Sequence, residues 1–103
     1  MTTADDIMLV RRESEDDLSG VLQLYGQPDL DDGKILPIEN AKAIFAQFSA
    51  YPDYKLYVVE RDGQIISSYA LLVMHNLGHL GAPSAIVEDV VVDPHTRARA
   101  LGN

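Results

Sequence analysis

Four short segments in which apolar residues alternate with polar ones or run together predict β-strands. The first run, residues 7–10, is followed by Arg11 and Arg12, and the last contains the β-branched Val87, Val90, Val91 and Val92. β-Branched residues favour the pleated, half-buried backbone of a sheet. The predicted strands cover residues 7–10, 54–60, 65–74 and 84–93.

A first helix is predicted between the first two strands. Leu18, Val21, Leu22 and Tyr25 follow helical spacing, which gives this segment one apolar face. Ser14 suits the N-cap, because its side chain can accept a hydrogen bond from a free backbone N–H of the first turn. Gly26 is expected to end the helix as a C-cap residue.

A second helix is predicted over residues 38–50. Its apolar stripe predicts a core-facing surface rather than a cofactor box, and it consists of Ala41, Ile44, Phe45 and Phe48. The segments 27–37 and 75–83 are rich in turn residues and predict loops that could line a substrate entrance.

The segment Arg61-Asp62-Gly63-Gln64 predicts a tight hairpin, and the Ser67-Ser68 pair predicts a bulge in the returning strand. The order is therefore strand-helix-helix-strand-strand-strand. It predicts an α/β (α+β) domain with a mainly antiparallel sheet, whose faces the two helices can cover.

Composition narrows the possible functions. The chain has 103 residues and a formal net charge of −8, which suits one small domain and argues against nucleic-acid binding. There is no Cys, so thiolate catalysis and disulfides are excluded. The start of the chain lacks signal-peptide features and no apolar run could span a membrane, so the cytoplasm is the expected location.

Three histidines raise the question of a metal site. His75 and His79 lie four residues apart in a predicted loop, and His95 follows the last strand. No third ligand is evident beside the first two, so no metal is expected. A loop histidine lining a substrate pocket is the alternative.

The last segment, AIVEDVVVDPHTRARALGN, combines a strand, a Pro stop, a basic turn and a helix start. Asp93-Pro94 should end the strand, because Pro cannot donate a hydrogen bond to a sheet. Backbone N–H groups at a helix N-terminus, together with Arg97 and Arg99, predict an anion-binding turn.

In these motifs the chain resembles the N-terminal half of a GNAT-superfamily N-acetyltransferase, an enzyme that transfers an acetyl group from acetyl-CoA to an amine. The motifs are VVVDP at 90–94 and RARALG at 97–102, supported by VRRESEDDL at 10–18 and the Asp-Gly hairpin. The acceptor implied is a small-molecule or peptide amine. Acetyl-CoA is the implied cosubstrate, and neither nucleic acid nor a membrane is an expected partner.

The resemblance also implies site residues. The fourth strand would offer backbone groups to the pantetheine arm, and the following turn would hold the pyrophosphate. The implied cofactor-binding residues are Val90, Val91, Val92, Arg97, Ala98, Arg99, Ala100, Leu101, Gly102 and Asn103. Ala98 and Ala100 stand where the family prefers glycine, and a left-handed backbone there would cost about 1–2 kcal/mol.

Glu88 is the implied general base. It would take the proton of the attacking amine, and its apolar neighbours Val87 and Val90 would raise its pKa through partial desolvation. By strand alternation, Asp89 should point to the opposite face.

The chain reads as a partial GNAT-like domain over residues 1–103, truncated at the start of the third helix. Its fourth strand should then be an uncovered edge that favours a homo-oligomer or a swapped assembly. The alternative function is a non-catalytic interaction module that uses this open edge to bind a partner.

Overall fold

A computed structural model describes residues 8–28, 30 and 33–96 of the chain. Four strands and two helices account for most of them. In chain order they are β1 (Met8–Arg12), α1 (Leu18–Tyr25), α2 (Ile38–Gln47), β2 (Tyr54–Arg61), β3 (Gln64–Met74) and β4 (Ser84–Val92). The four strands and the two helices that the sequence predicts are present, and the α/β (α+β) fold with an antiparallel sheet is confirmed.

The strands form one antiparallel sheet in the order β1-β2-β3-β4. The hairpin between β2 and β3 turns at Asp62 and Gly63, whose φ angles of 55° and 78° are both positive. Such a turn matches the twist of paired strands, and Asp-Gly tolerates it. Within the described sheet β4 is an edge strand, as predicted.

The core lies between the sheet and α1. Residues on β3 alternate between buried and half-buried, as the period of two in a strand requires. The buried apolar side chains are Leu18, Val21 and Leu24 of α1, Ala41 of α2, and Val58, Ile66, Ala70 and Val91 of the sheet. Both helices border the same face, so the prediction that they cover two faces is wrong.

The opposite face carries a pair of stacked rings. The Tyr57 and Tyr69 centroids lie 5.4 Å apart, and the Arg12 guanidinium lies 6.0 Å from the Tyr57 centroid. Tyr57 and Tyr69 are direct cross-strand partners, so their side chains stand on one face.

The predicted N-cap residue, Ser14, caps a short turn before α1 and not α1 itself. Ser14 precedes a 3₁₀ turn, Glu15–Asp17, that leads into the helix. The Asp17 carboxylate accepts hydrogen bonds from Ser14 N–H (2.8 Å) and Ser14 Oγ (3.0 Å). At the other end, Gly26 N–H donates to the Leu22 carbonyl, but its φ of −76° is not left-handed. Glycine is needed here for space, because a Cβ would lie 2.8 Å from Ile35 Cγ1.

Candidate functional site

A β-bulge in β4 shapes the candidate site. Ser68 pairs with Val91 and Ala70 pairs with Glu88, so Tyr69 alone faces Asp89 and Val90. Asp89 adopts a φ of 51°, in the left-handed region. A second irregularity, between β2 and β3, leaves Ile66 of β3 without a partner in the register. The returning strand therefore also has a bulge, next to the Ser67-Ser68 pair at which the sequence predicts one.

The bulge changes which way the side chains of β4 point. Glu88 and Val91 are three residues apart, yet their partners Ala70 and Ser68 are both buried on the helix side. Cross-strand partners share a face, so Glu88 and Val91 both stand on the helix side. A regular strand would separate them.

Glu88 lies at one end of a row of residues that crosses the sheet. The N–H of Glu13 donates to the Leu56 carbonyl (2.9 Å), Leu56 pairs with Ala70, and Ala70 pairs with Glu88. The side chain of Glu88 is exposed, as is all of β4 before Val91. Val87 and Val90 are themselves 54% and 56% exposed, so they do not shield Glu88 from water. The prediction that these valines partly desolvate Glu88 is therefore wrong.

Asp89 also acts on the helix side. Its carbonyl accepts a hydrogen bond from the Tyr25 hydroxyl at 2.7 Å, and the residue lines a cavity beneath both helices. The pKa of Tyr54 is raised by burial first, then by the charges of Asp89 and Glu88. The prediction that Asp89 points away from the site is wrong, because the bulge interrupts the alternation on which it depends.

The three valines predicted to bind the cofactor have different surroundings. Val90 is 56% exposed, whereas the side chain of Val91 is buried in the core. The Val91 carbonyl accepts from Ser67 Oγ (2.9 Å) and the Val92 carbonyl accepts from Gln27 Nε2 (3.1 Å). The side chain of Val91 is therefore buried away from any ligand, and the carbonyls of Val91 and Val92 already accept hydrogen bonds from side chains of this chain.

The predicted stop after β4 is confirmed. β4 ends at Val92, and Asp93 Oδ2 accepts a hydrogen bond from Thr96 N–H at 3.1 Å, which caps the turn that follows. The predicted anion-binding turn lies outside the described residues. It comprises Arg97, Ala98, Arg99, Ala100, Leu101, Gly102 and Asn103.

Sequence reasoning missed Glu13, a carboxyl group that is only 9% exposed. It lines a cavity of about 380 Å³ between the helices and the sheet, together with Ser68 and Asp89. Burial raises the pKa of Glu13 to about 7; the hydrogen bond from Ser68 Oγ (3.3 Å) opposes this rise and the charge of Asp17 adds to it. Strand alternation could have found it, since Glu13 lies two residues after Arg11, whose partner Val58 is buried on the helix side.

Asp17 is a buried carboxylate in the turn that leads into α1. In the structure it forms a two-pronged ion pair with Arg11, with distances of 2.7 and 2.8 Å, and Arg11 also contacts Glu60 at 3.1 Å. The Arg11 guanidinium holds the pKa of Asp17 down at about 2. Planar guanidinium and carboxylate groups match in this geometry, so the pair fixes β1 against the start of α1.

The described residues contain no cluster of three or more potential metal ligands. His75 Nε2 lies 3.8 Å from Asp53 Oδ2, and its side chain is 88% exposed. No helix within the described ranges is long and apolar enough to cross a membrane.

No known family profile and no curated protein sequence matches the chain. Solved structures do. A protein from Agrobacterium tumefaciens assigned as an acetyltransferase is 29% identical with a TM-score of 0.76, and the match covers 89% of this chain and 63% of that one. An acetyltransferase from Trypanosoma brucei is 28% identical with a TM-score of 0.67, covering 93% of this chain and 67% of that one.

A third structure, a GNAT family acetyltransferase from Staphylococcus aureus, is 19% identical with a TM-score of 0.67 and covers 91% of this chain and 72% of its own. The chain thus spans about two thirds of the length of these proteins. The chain therefore resembles part of a GNAT-superfamily acetyltransferase domain and has the fold of that part.

Proposed function

We propose that this chain carries the part of an N-acetyltransferase that binds acetyl-CoA and presents the general base, with a small-molecule or peptide amine as acceptor. The observation that carries the proposal is the bulge in β4. It places two residues opposite Tyr69, and one of them, Val90, is 56% exposed at the strand for which the family resemblance implies pantetheine binding. An extended ligand could pair with backbone groups of this edge as an added strand does.

The chemistry follows from Glu88. Acetyl-CoA, when bound, would supply an acetyl group activated as a thioester, whose C–S bond breaks as the amide C–N bond forms and releases the thiolate of coenzyme A. An amine at neutral pH is mostly protonated, so it must lose a proton before its lone pair can attack the thioester carbon. Glu88 stands exposed on the helix side of β4, where a carboxylate can accept that proton directly or through one water molecule.

The left-handed Asp89 offers a direct test of the bulge. Asp89→Val places a β-branched residue where φ is positive, so the bulge should be lost; Asp89→Gly favours the same φ and should keep it. We expect Asp89→Val to weaken acetyl-CoA binding, measured by calorimetry, by about tenfold or more and Asp89→Gly to retain it. Equal affinities in the two variants, or no acetyl-CoA binding by the unmodified chain, would contradict the proposal.

A second candidate is the interaction module. It is favoured by the exposure of Val87 and Val90 on a strand that lies at the edge of the described sheet. A free edge with apolar side chains promotes pairing with another chain, including a second copy of this one. Light scattering at high concentration should then show a dimer, which Val90→Lys should convert to monomer. A monomer at all concentrations would remove this candidate.

A further inference from the structure

A cavity of about 520 Å³ lies beside Glu88. Its walls come from the end of α2, the start of β2, the end of β3 and the middle of β4. The residues that matter here are Phe48, Tyr51, Asp53, Tyr54, Leu72 and Glu88. This volume falls within the range typical of sites for small molecules.

Three aromatic rings form one wall of the cavity and contact one another. The centroid of Phe48 lies 5.4 Å from that of Tyr54 and 6.1 Å from that of Tyr51, and the two tyrosine centroids are 5.8 Å apart. The Tyr51 side chain is 53% exposed, so its ring is accessible from solvent. Ring faces carry negative electrostatic potential and attract cations.

The charges around the cavity have one sign. Glu88 and Asp53 line it, and the described lining includes no Lys or Arg. Burial raises the pKa of Tyr54 most, and the charges of Asp89 and Glu88 raise it further, in the direction expected of a negatively charged wall. His75 lies near Asp53 but is largely in solvent. Both the rings and the carboxylates therefore favour a cation.

The lining is otherwise apolar, with Leu72, Val73 and Ile44 beside the rings. A bare ammonium ion would leave this surface in contact with water, whereas an amine with an aromatic or aliphatic body would cover it. We propose that this cavity binds a primary alkylammonium with an apolar body, preferably an aromatic one. The role of this amine as the acetyl acceptor rests on the function proposed above, whereas the binding of the amine to the cavity does not.

The apolar stripe of α2 was predicted to face the core, and only part of it is buried there. Ala41 is buried, but Ile44 is 46% exposed, and Phe45 and Phe48 are half-buried. Phe48 and Ile44 line cavities instead of filling a closed core. The stripe thus supplies both a helix contact and a binding surface.

The test uses the full chain and two probes of the same shape, 2-phenylethylamine and 2-phenylethanol, titrated by calorimetry. We expect the amine to bind about tenfold or more tightly than the alcohol, because only the amine carries the charge. Glu88→Gln should remove most of that preference. Equal affinities of the two probes, or no binding of the amine, would overturn the proposal.

Aromatic variants separate the cavity from the opposite face of the sheet. Tyr51→Leu should weaken amine binding by about three- to tenfold, whereas Tyr51→Phe should keep it. Tyr57→Leu, in the stacked pair on the other face, is the matched control and should leave binding unchanged. If Tyr57→Leu weakened binding as much as Tyr51→Leu, the amine would not occupy this cavity.

Acetyl-CoA binding is measured separately by thermal shift. Amine binding without acetyl-CoA binding would contradict the proposed transferase function and leave the amine site supported. Acetyl-CoA binding without amine binding would overturn the inference alone.

Discussion

Glu13 and Glu88 lie in the same cross-strand row, on the same face of the sheet, yet their surroundings are opposite. Glu13 is 9% exposed, and burial raises its pKa to about 7. Glu88 is exposed, and it lies beside a cavity with three aromatic rings. Three strand spacings, about 14 Å, separate the ends of the row.

The helices account for the difference. α1 packs over β3 and the final part of β4, and the cavity beneath α1 and α2 encloses Glu13. Residues 84–88 of β4 are exposed and extend beyond this cover. The valines that flank Glu88 in the sequence therefore do not predict its burial, because Val87 and Val90 are exposed to water as well. Burial raises the pKa of a carboxyl group, whereas an exposed carboxylate remains accessible to a ligand.

The largest expected effect concerns Glu13. Its pKa is raised from 4.5 to about 7 in the folded state, so folding favours the protonated form. This contribution is fully present below about pH 4.5 and is lost as the pH rises through about 7, on the order of 3 kcal/mol in total. Glu13→Gln should remove this loss of stability with rising pH, because Gln does not ionise. The variant should then be more stable than the unmodified chain at about pH 8, as measured by urea unfolding.

Glu15→Gln is the matched control for this change, because Glu15 lies two residues away and is exposed. It should keep the pH dependence of the unmodified chain. If Glu13→Gln showed the same slope between about pH 5 and pH 8 as this control, Glu13 would not be the buried acid.

The next effect concerns Asp17, whose pKa is lowered from 3.8 to about 2 by Arg11. Its stabilising contribution is present above its ordinary pKa and is lost as the pH falls through about 2. Asp17→Asn should cost about 1–2 kcal/mol at neutral pH, a value reduced because the Arg11 side chain is 35% exposed and screened by water. Thermal unfolding against Asp16→Asn, an exposed neighbour, measures the cost. Equal melting temperatures would show that the pair contributes nothing.

A smaller effect is expected at Ser68. Its hydroxyl donates to Glu13 Oε1 at 3.3 Å and favours the ionised form. Ser68→Ala should raise the pKa of Glu13 further, by less than about one unit. An NMR titration of the side-chain carboxyl carbon measures the shift. A lower pKa in the variant would contradict the assigned direction of this hydrogen bond.

The smallest effect on stability is expected at Glu88. Glu88→Gln should change the free energy of unfolding by less than about 0.5 kcal/mol, because the side chain is exposed. Urea unfolding beside Glu13→Gln measures both under one condition. A loss above about 2 kcal/mol would mean that Glu88 stabilises the fold, against the comparison drawn above.

Much of the fold could be predicted from local patterns. The β2–β3 hairpin follows from Asp62-Gly63, the first helix from Ser14 and its apolar spacing, and the end of β4 from Pro94. These features depend on residues close in sequence, so turn and cap chemistry suffices to find them.

The site depended on contacts between distant segments and was harder to predict. The bulge at Asp89 has no glycine or proline to mark it, and it reverses which carboxylates share a face. The burial of Glu13 depends on helices that follow it in the chain. Alternation locates inward-facing positions but does not tell which of them a helix will cover.

Acetyl transfer to 2-phenylethylamine by the unmodified chain, Glu88→Gln and Glu13→Gln tests the central claim most directly. Glu88, at the exposed end of the row, should determine the rate of acetyl transfer, and Glu13, at the buried end, should affect the free energy of unfolding. Glu88→Gln should therefore lower the rate by about a hundredfold or more, while Glu13→Gln stays within about threefold. The reverse ranking, or the absence of transfer by the unmodified chain, would contradict this account.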